Sequence, residues 1–151
     1  MPVLDLDLPA VPESATVARH AVTDALREVA VDRDAVVAMV SEAVANCAAH
    51  AYPGDAVGRV RVHADIDGNA LDVVVSDDGI GIAPSAESAG LGLGVPLMGD
   101  LADGVEVEVS SGTRVTARFE LFGPAGPHGR PVPHFAGRAR RRLSRLLGRG
   151  R

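Results

Sequence analysis

The amino-acid sequence predicts an α+β fold: a two-layer α/β sandwich in which a mixed, mainly antiparallel sheet is covered on one face by helices. Three observations predict it. A period-two segment at the start is followed by two segments with the helical period. Two pairs of period-two segments come later, each joined by turn-forming residues. The chain has 151 residues, 46% of them apolar, which is the size and apolar content of one domain able to bury its own core.

Along the chain, residues 3–8 alternate apolar and polar side chains as a half-buried strand does, and Pro9 and Pro12 stop them. Residues 13–30 read as a helix whose apolar face is Val17, Ala21, Ala25 with Leu26, and Val29. Asp32 or Asp34 can cap a second helix running to about residue 51, with Val36, Val37, Val40, Ala43, Val44 and Cys47 apolar and Pro53-Gly54 as its stop. Residues 59–64 and 70–76 read as strands around a turn at 65–69, and residues 105–109 and 113–122 as a second antiparallel pair around Ser111-Gly112. Between the pairs lies a segment rich in Gly, Ser and Ala, 77–94, and Pro96 suits the first turn of a short helix ending near 103–104.

Charge divides the chain at Gly123. All 15 basic residues are Arg, and eight of them lie in residues 130–151, which hold no Asp or Glu. The rest of the chain sets seven arginines against 20 carboxylates, a net of −13, beside a tail of +8. An acidic body excludes general nucleic-acid binding by the core, because duplex affinity comes largely from neutralising phosphates. We therefore expect one domain over 1–122 and a disordered Gly/Pro/Arg-rich tail over 123–151, in which residues 135–147 can form a basic helix on meeting acidic protein, anionic lipid or nucleic acid. No apolar stretch approaches the roughly 20 residues that span a bilayer, and Met1 is followed by Pro2 and acidic residues, so a soluble, cytoplasmic protein is expected. Cys47 is the one cysteine, which rules out an intramolecular disulfide and reads as a small buried residue.

Four constellations carry chemistry. Glu42, Asn46 and His50 are spaced four apart on the second helix and drift about 40° per step, so they share one side. An Asn oxygen suits a hard cation such as Mg²⁺, and Glu42 is placed to accept a proton from a hydroxyl; a solvated polar face is the plain alternative. In Asp77-Asp78-Gly79-Ile80-Gly81, where an apolar strand runs out, a carboxylate can accept a bond from an amino group such as adenine's while the glycines let backbone approach a flat ligand; an ordinary acidic turn is the alternative. Gly90-Leu91-Gly92-Leu93-Gly94 precedes the helix at Pro96, where amide N–H groups cradle phosphates, unless it is only a flexible loop. The chain contains no Lys, which excludes a Walker phosphate loop, and the glycines come too late for a dinucleotide-binding βαβ unit. Ser111-Gly112-Thr113-Arg114 sets a hydroxyl and a charge at a strand start, within reach of phosphate, and is equally a hairpin turn.

In this order, Ser41-Glu42-Ala43-Val44-Ala45-Asn46 with His50-Ala51-Tyr52, Asp77-Asp78-Gly79-Ile80-Gly81, the 90–94 run with Pro96-Leu97-Met98, and Gly112-Thr113 resemble the N, G1 and G2 boxes of the gyrase–Hsp90–histidine kinase–MutL ATPase superfamily. Within it they look most like the anti-sigma-factor serine kinases. The resemblance covers about residues 3–122 and implies the Bergerat ATP-binding fold, ATP and Mg²⁺ as cofactors, and these roles: Glu42 as general base, Asn46 as Mg²⁺ ligand, Asp77 as the adenine-binding acid, and Gly79 and Gly81 lining the base pocket. It further implies Gly90, Gly92 and Gly94 as phosphate-loop glycines and Thr113 as supplying a nucleotide-contacting hydroxyl. The implied substrate is a serine on a STAS-type anti-anti-sigma protein, the implied target a sigma factor, and the implied assembly a homodimer. Two rival readings remain: a nucleotide-dependent module that captures a regulator without phosphoryl transfer, and a histidine kinase-related ATPase. For the latter the chain lacks a long helical hairpin around a phosphoacceptor His.

Overall fold

The computed structural model describes residues 1–50, 57–79 and 101–122. Within them the elements run β1 (Pro2–Pro9), α1 (Glu13–Ala25), α2 (Arg33–His50), β2 (Arg59–Asp67), β3 (Ala70–Asp77), β4 (Gly104–Val109) and β5 (Thr113–Glu120). The expected 90–94 loop, the short helix at Pro96 and the tail lie outside the described residues.

The strands form one sheet in the order β1-β2-β3-β5-β4, and every described pairing is antiparallel. The α+β two-layer architecture is therefore as the patterning predicts. Alternation decides the layers: Leu4, Leu6 and Leu8 pair with Ala64, Val62 and Val60, and Val62 pairs with Val75, so these residues share the side that meets the helices. Helix α1 packs on β1 and on α2, and α2 covers β2 and β3. Leu71 and Val73 of β3, Val60 and Val62 of β2, and Val36, Met39, Val40 and Val44 of α2 are almost wholly buried between the layers. Each such side chain contributes about 1.5–3 kcal/mol by leaving water.

The second helix starts where its cap allows: the Ala35 N–H donates to Asp32 Oδ1 at 3.1 Å, satisfying one of the open amides of the first turn. The first helix departs from expectation in both length and face. It ends at Ala25, and its buried residues are Ser14, Ala15, Ala18 and Val22, while Val17 is 50% exposed. Small residues at Ala15 and Ala18 let the helix come close to its neighbours, and the buried Ser14 is satisfied by donating to the Pro9 carbonyl at 2.6 Å. Leu26 reaches the core from the turn after the helix rather than from the helix itself.

The β2–β3 turn is tighter than the sequence reads. The strands pair through Asp67↔Ala70, leaving Gly68-Asn69 as a two-residue loop. Gly68 has φ 60°, a left-handed conformation that glycine adopts without strain and that hairpins of this length use at their first position. At the other end of the sheet, β5 stops at Glu120, and Leu121 and Phe122 donate to the carbonyls of Asn69 and Ala30, fastening the chain's return to both layers.

Leu71→Ala should lower the free energy of unfolding in urea by about 2–5 kcal/mol, because it empties a fully buried site in the central strand.

Candidate functional site

Where β3 runs out beneath α2, the alternation that turns Leu71, Val73 and Val75 toward the helices brings the half-buried Asp77 to the same side. Its Oδ1 accepts the amide N–H of Gly79 at 2.9 Å, closing an Asx-type turn, and that of Thr113 at 3.3 Å. The second donor lies 36 residues away in sequence, so one carboxylate oxygen ties the end of β3 to the start of β5.

Gly112 makes this approach possible. A Cβ there would overlap the Asp77 carbonyl oxygen and come within 3.0 Å of the Asp78 Cα. The obstacle is backbone, which has no rotamer to move away.

From the helix side the site is closed by Cys47, which is buried on α2 with its thiol near the Asp77 carboxylate. Burial, then the negative charges of Asp77 and Asp78, push the thiol from its ordinary 9.0 up to about 12. The group therefore stays a protonated donor at neutral pH and is not a nucleophile. Asn46 directly precedes Cys47, and Glu42 lies one turn earlier; both are half-buried. Helix α2 thus brings the amide to the margin of the Asp77 site and sets the carboxylate one turn further from it.

The structure brings Asp77, Gly79 and Thr113 together, and the Thr113 contact to Asp77 runs through its backbone N–H. Gly81, Gly90, Gly92 and Gly94 lie outside the described residues. Arg114 is exposed on the sheet face away from the helices, so the residues 111–114 act as a hairpin turn rather than aiming that charge at the site. Sequence reasoning missed the role of Cys47. The signal was available, since it follows Asn46 and lies on the apolar stripe that faces the sheet.

The residues present fit a nucleotide. Both backbone donations to Asp77 fall on Oδ1, so the carboxylate is oriented in advance for a donor such as a nucleobase amino group. Among the described residues no group of three or more His, Cys, Asp or Glu side chains could hold a metal ion. Mg²⁺ accompanying a nucleotide takes most of its ligands from phosphate and water and needs only one or two protein oxygens, such as that of Asn46.

Fold and site together define a two-layer α+β domain of the ATP-binding kind. The model of a family described as the histidine kinase-like ATPase domain matches residues 8–119, and the chain belongs to that family. It is 33% identical over 98 residues to an anti-sigma F factor of Halalkalibacterium halodurans, covering 55% of this chain and 66% of that protein. It is also 33% identical over 92 residues to the serine-protein kinase RsbW of Bacillus licheniformis, covering 51% of this chain and 58% of the relative. The chain thus spans a little under two thirds of these relatives' lengths. Their names agree with the resemblance carried by the motifs.

Two outcomes test this geometry. Gly112→Ala should destabilise the protein by roughly 1–3 kcal/mol in urea unfolding, the usual range for forcing atoms into a packed site. For Cys47 the unfolded thiol ionises first while the folded thiol keeps its proton, so the stability this proton contributes is complete below pH 9.0 and is lost as pH rises toward 12. Thermal midpoints measured across that window should fall more steeply for the natural chain than for Cys47→Ala.

Proposed function

We propose that this protein is an anti-sigma-factor-type serine kinase: it binds Mg-ATP beneath α2 and transfers the terminal phosphoryl group to a serine of a STAS-type anti-anti-sigma partner. The observation that carries the reading is the Asp77 carboxylate, fixed by two backbone amides at the end of a central strand, in a chain of the histidine kinase-like ATPase family. The relatives named as an anti-sigma factor and a serine-protein kinase support the choice of partner class. The reading brings with it a sigma factor as the regulated target, a homodimer, and a cytoplasmic location.

In this reading each residue has a separate task. Asp77 accepts the adenine amino group, with Gly79 and Gly81 keeping the backbone close to the base. Asn46 supplies an oxygen to the metal, and the amides of Gly90, Gly92 and Gly94 receive the phosphates beside Thr113. Glu42 takes the proton of the incoming serine hydroxyl. When bound, Mg-ATP supplies the phosphoryl group and the charge that offsets its transfer, and positioning accounts for most of the remaining catalysis.

Calorimetric titration with ATP and Mg²⁺ should show binding weakened at least tenfold in Asp77→Asn, the loss expected for about 1.4 kcal/mol or more of charge-assisted bonding. Glu42→Ala should bind normally and fail to label the partner with acid-stable phosphate. Equal loss of binding in both variants would refute this division of labour; normal binding with no phosphate transfer by the natural chain would leave a nucleotide-dependent binding module.

A further inference from the structure

The sheet has a second face, turned away from the helices, and its charge is uneven from end to end. At one end Arg61 faces Asp7 and Arg114 faces Glu108 in register, and Arg59 pairs with Asp7 at 2.9 Å, so acids and bases balance there. Further along, Arg118 Nη1 donates to both oxygens of Asp72, at 3.0 and 2.8 Å, and on the opposite edge Asp65 is held by the Met1 ammonium. At the corner where β5 ends, the charges of the described residues are all negative. Asp67 and Glu120 flank Ala70 in register, Glu106 stands on the edge strand β4, and the Asp103 carboxylate accepts the Glu120 N–H at 2.7 Å. All four acids are exposed, and Asp67 and Glu120 have no cation partner among the described residues.

The chain leaves the sheet at this same corner. Strand β5 stops at Glu120, and the Phe122 N–H donates to the Ala30 carbonyl at 2.7 Å. From there to residue 151 the sequence holds no Asp or Glu, and Arg138, Arg140, Arg141, Arg142 and Arg145 cluster within it. A flexible coil the length of residues 123–137 spans about 20 Å, roughly the width of four strand spacings, so the arginine cluster can return to the corner without stretching the chain. Tethering makes the encounter unimolecular, at an effective concentration of order mM. Exposed ion pairs contribute only about 0.2–1 kcal/mol each, and several formed together are enough to hold a segment already confined this closely.

We propose that the arginine cluster of residues 138–145 docks on its own domain, at the acidic corner formed by Asp67, Asp103, Glu106 and Glu120. The occupant is the chain's own tail because its charge complements the corner and its tether begins two residues from Glu120. Nucleic acid or an anionic membrane reaching the same arginines would have to bring its phosphates against a body of net charge −13, which opposes the approach. Arginine suits the contact because its planar fork grips a carboxylate through two parallel bonds. The proposal does not rest on nucleotide chemistry, since the corner lies on the face of the sheet turned away from Asp77.

The test puts a nitroxide on the full chain through Ser144→Cys and reads the broadening of amide resonances. Cys47 is buried and keeps its proton, so the label goes to residue 144. The amides of residues 67, 106 and 118–120 should lose about half their intensity or more and regain it in about 1 M salt, where the screening length is about 3 Å. Glu106→Gln with Glu120→Gln should remove most of the broadening. Glu13→Gln with Glu28→Gln, which takes the same charge from the helix side, should leave it in place. Broadening centred on the helices, spread evenly over the domain or indifferent to salt would overturn the proposal. So would broadening that passes from a labelled chain to an isotope-enriched, unlabelled one in a mixed sample, because the tail would then lie on another copy. The salt response needs no change to the sheet, so it decides the matter even if the paired glutamines disturb folding.

Discussion

One half-buried carboxylate holds the functional end of this molecule together. Asp77 stands where the central strand stops, and a charge withdrawn from water there must be repaid in hydrogen bonds. Its two amide donors come from different parts of the chain, and bonds to a charged acceptor contribute about 1.5–3 kcal/mol each. The β4–β5 turn can supply its share only because Gly112 lets it lie on the backbone of residues 77 and 78. The buried Cys47 covers the carboxylate from the helix layer. On the proposed reading, structure and recognition are vested in the same atoms: the bonds that fasten the hairpin also aim the carboxylate.

The pleat separates two kinds of chemistry on a single sheet. Residues of one parity along β2, β3 and β5 build the core and, at the strand end, Asp77; those of the other parity build a charged open face. Because successive side chains alternate sides, Ser76 and Asp77 are adjacent in sequence yet belong to opposite surfaces.

Much of the fold was legible because alternation is a strong signal when one face of a sheet is buried. Leu4, Leu6 and Leu8, and the valines of β2 and β3, announced both their strands and their inward side. Helix α1 was misread in phase, since the pattern gave weight to Val17 and little to Ser14, Ala15 and Ala18, whereas close packing selected the small residues. The approach of Gly112 to Asp77 was hidden because it depends on β5 lying between β3 and β4, an order that no local pattern encodes. Cys47 was hidden for a similar reason: its partner is 30 residues away, across the two layers. The pairing of Asp77 with Gly79, by contrast, is local and was within reach of the motif alone.

The strand order has an evolutionary corollary. Since β5 sits between β3 and β4, the chain leaving Asp77 must pass over to the sheet's edge and then turn back, and both ends of that passage are secured, by Gly79 at its start and by the bond from the Asp103 N–H to the Arg118 carbonyl at its finish. A segment tethered at both ends pays little entropy for added length, about 0.6 kcal/mol for each doubling. Selection can therefore change the length of the connection between these two anchors at little entropic cost.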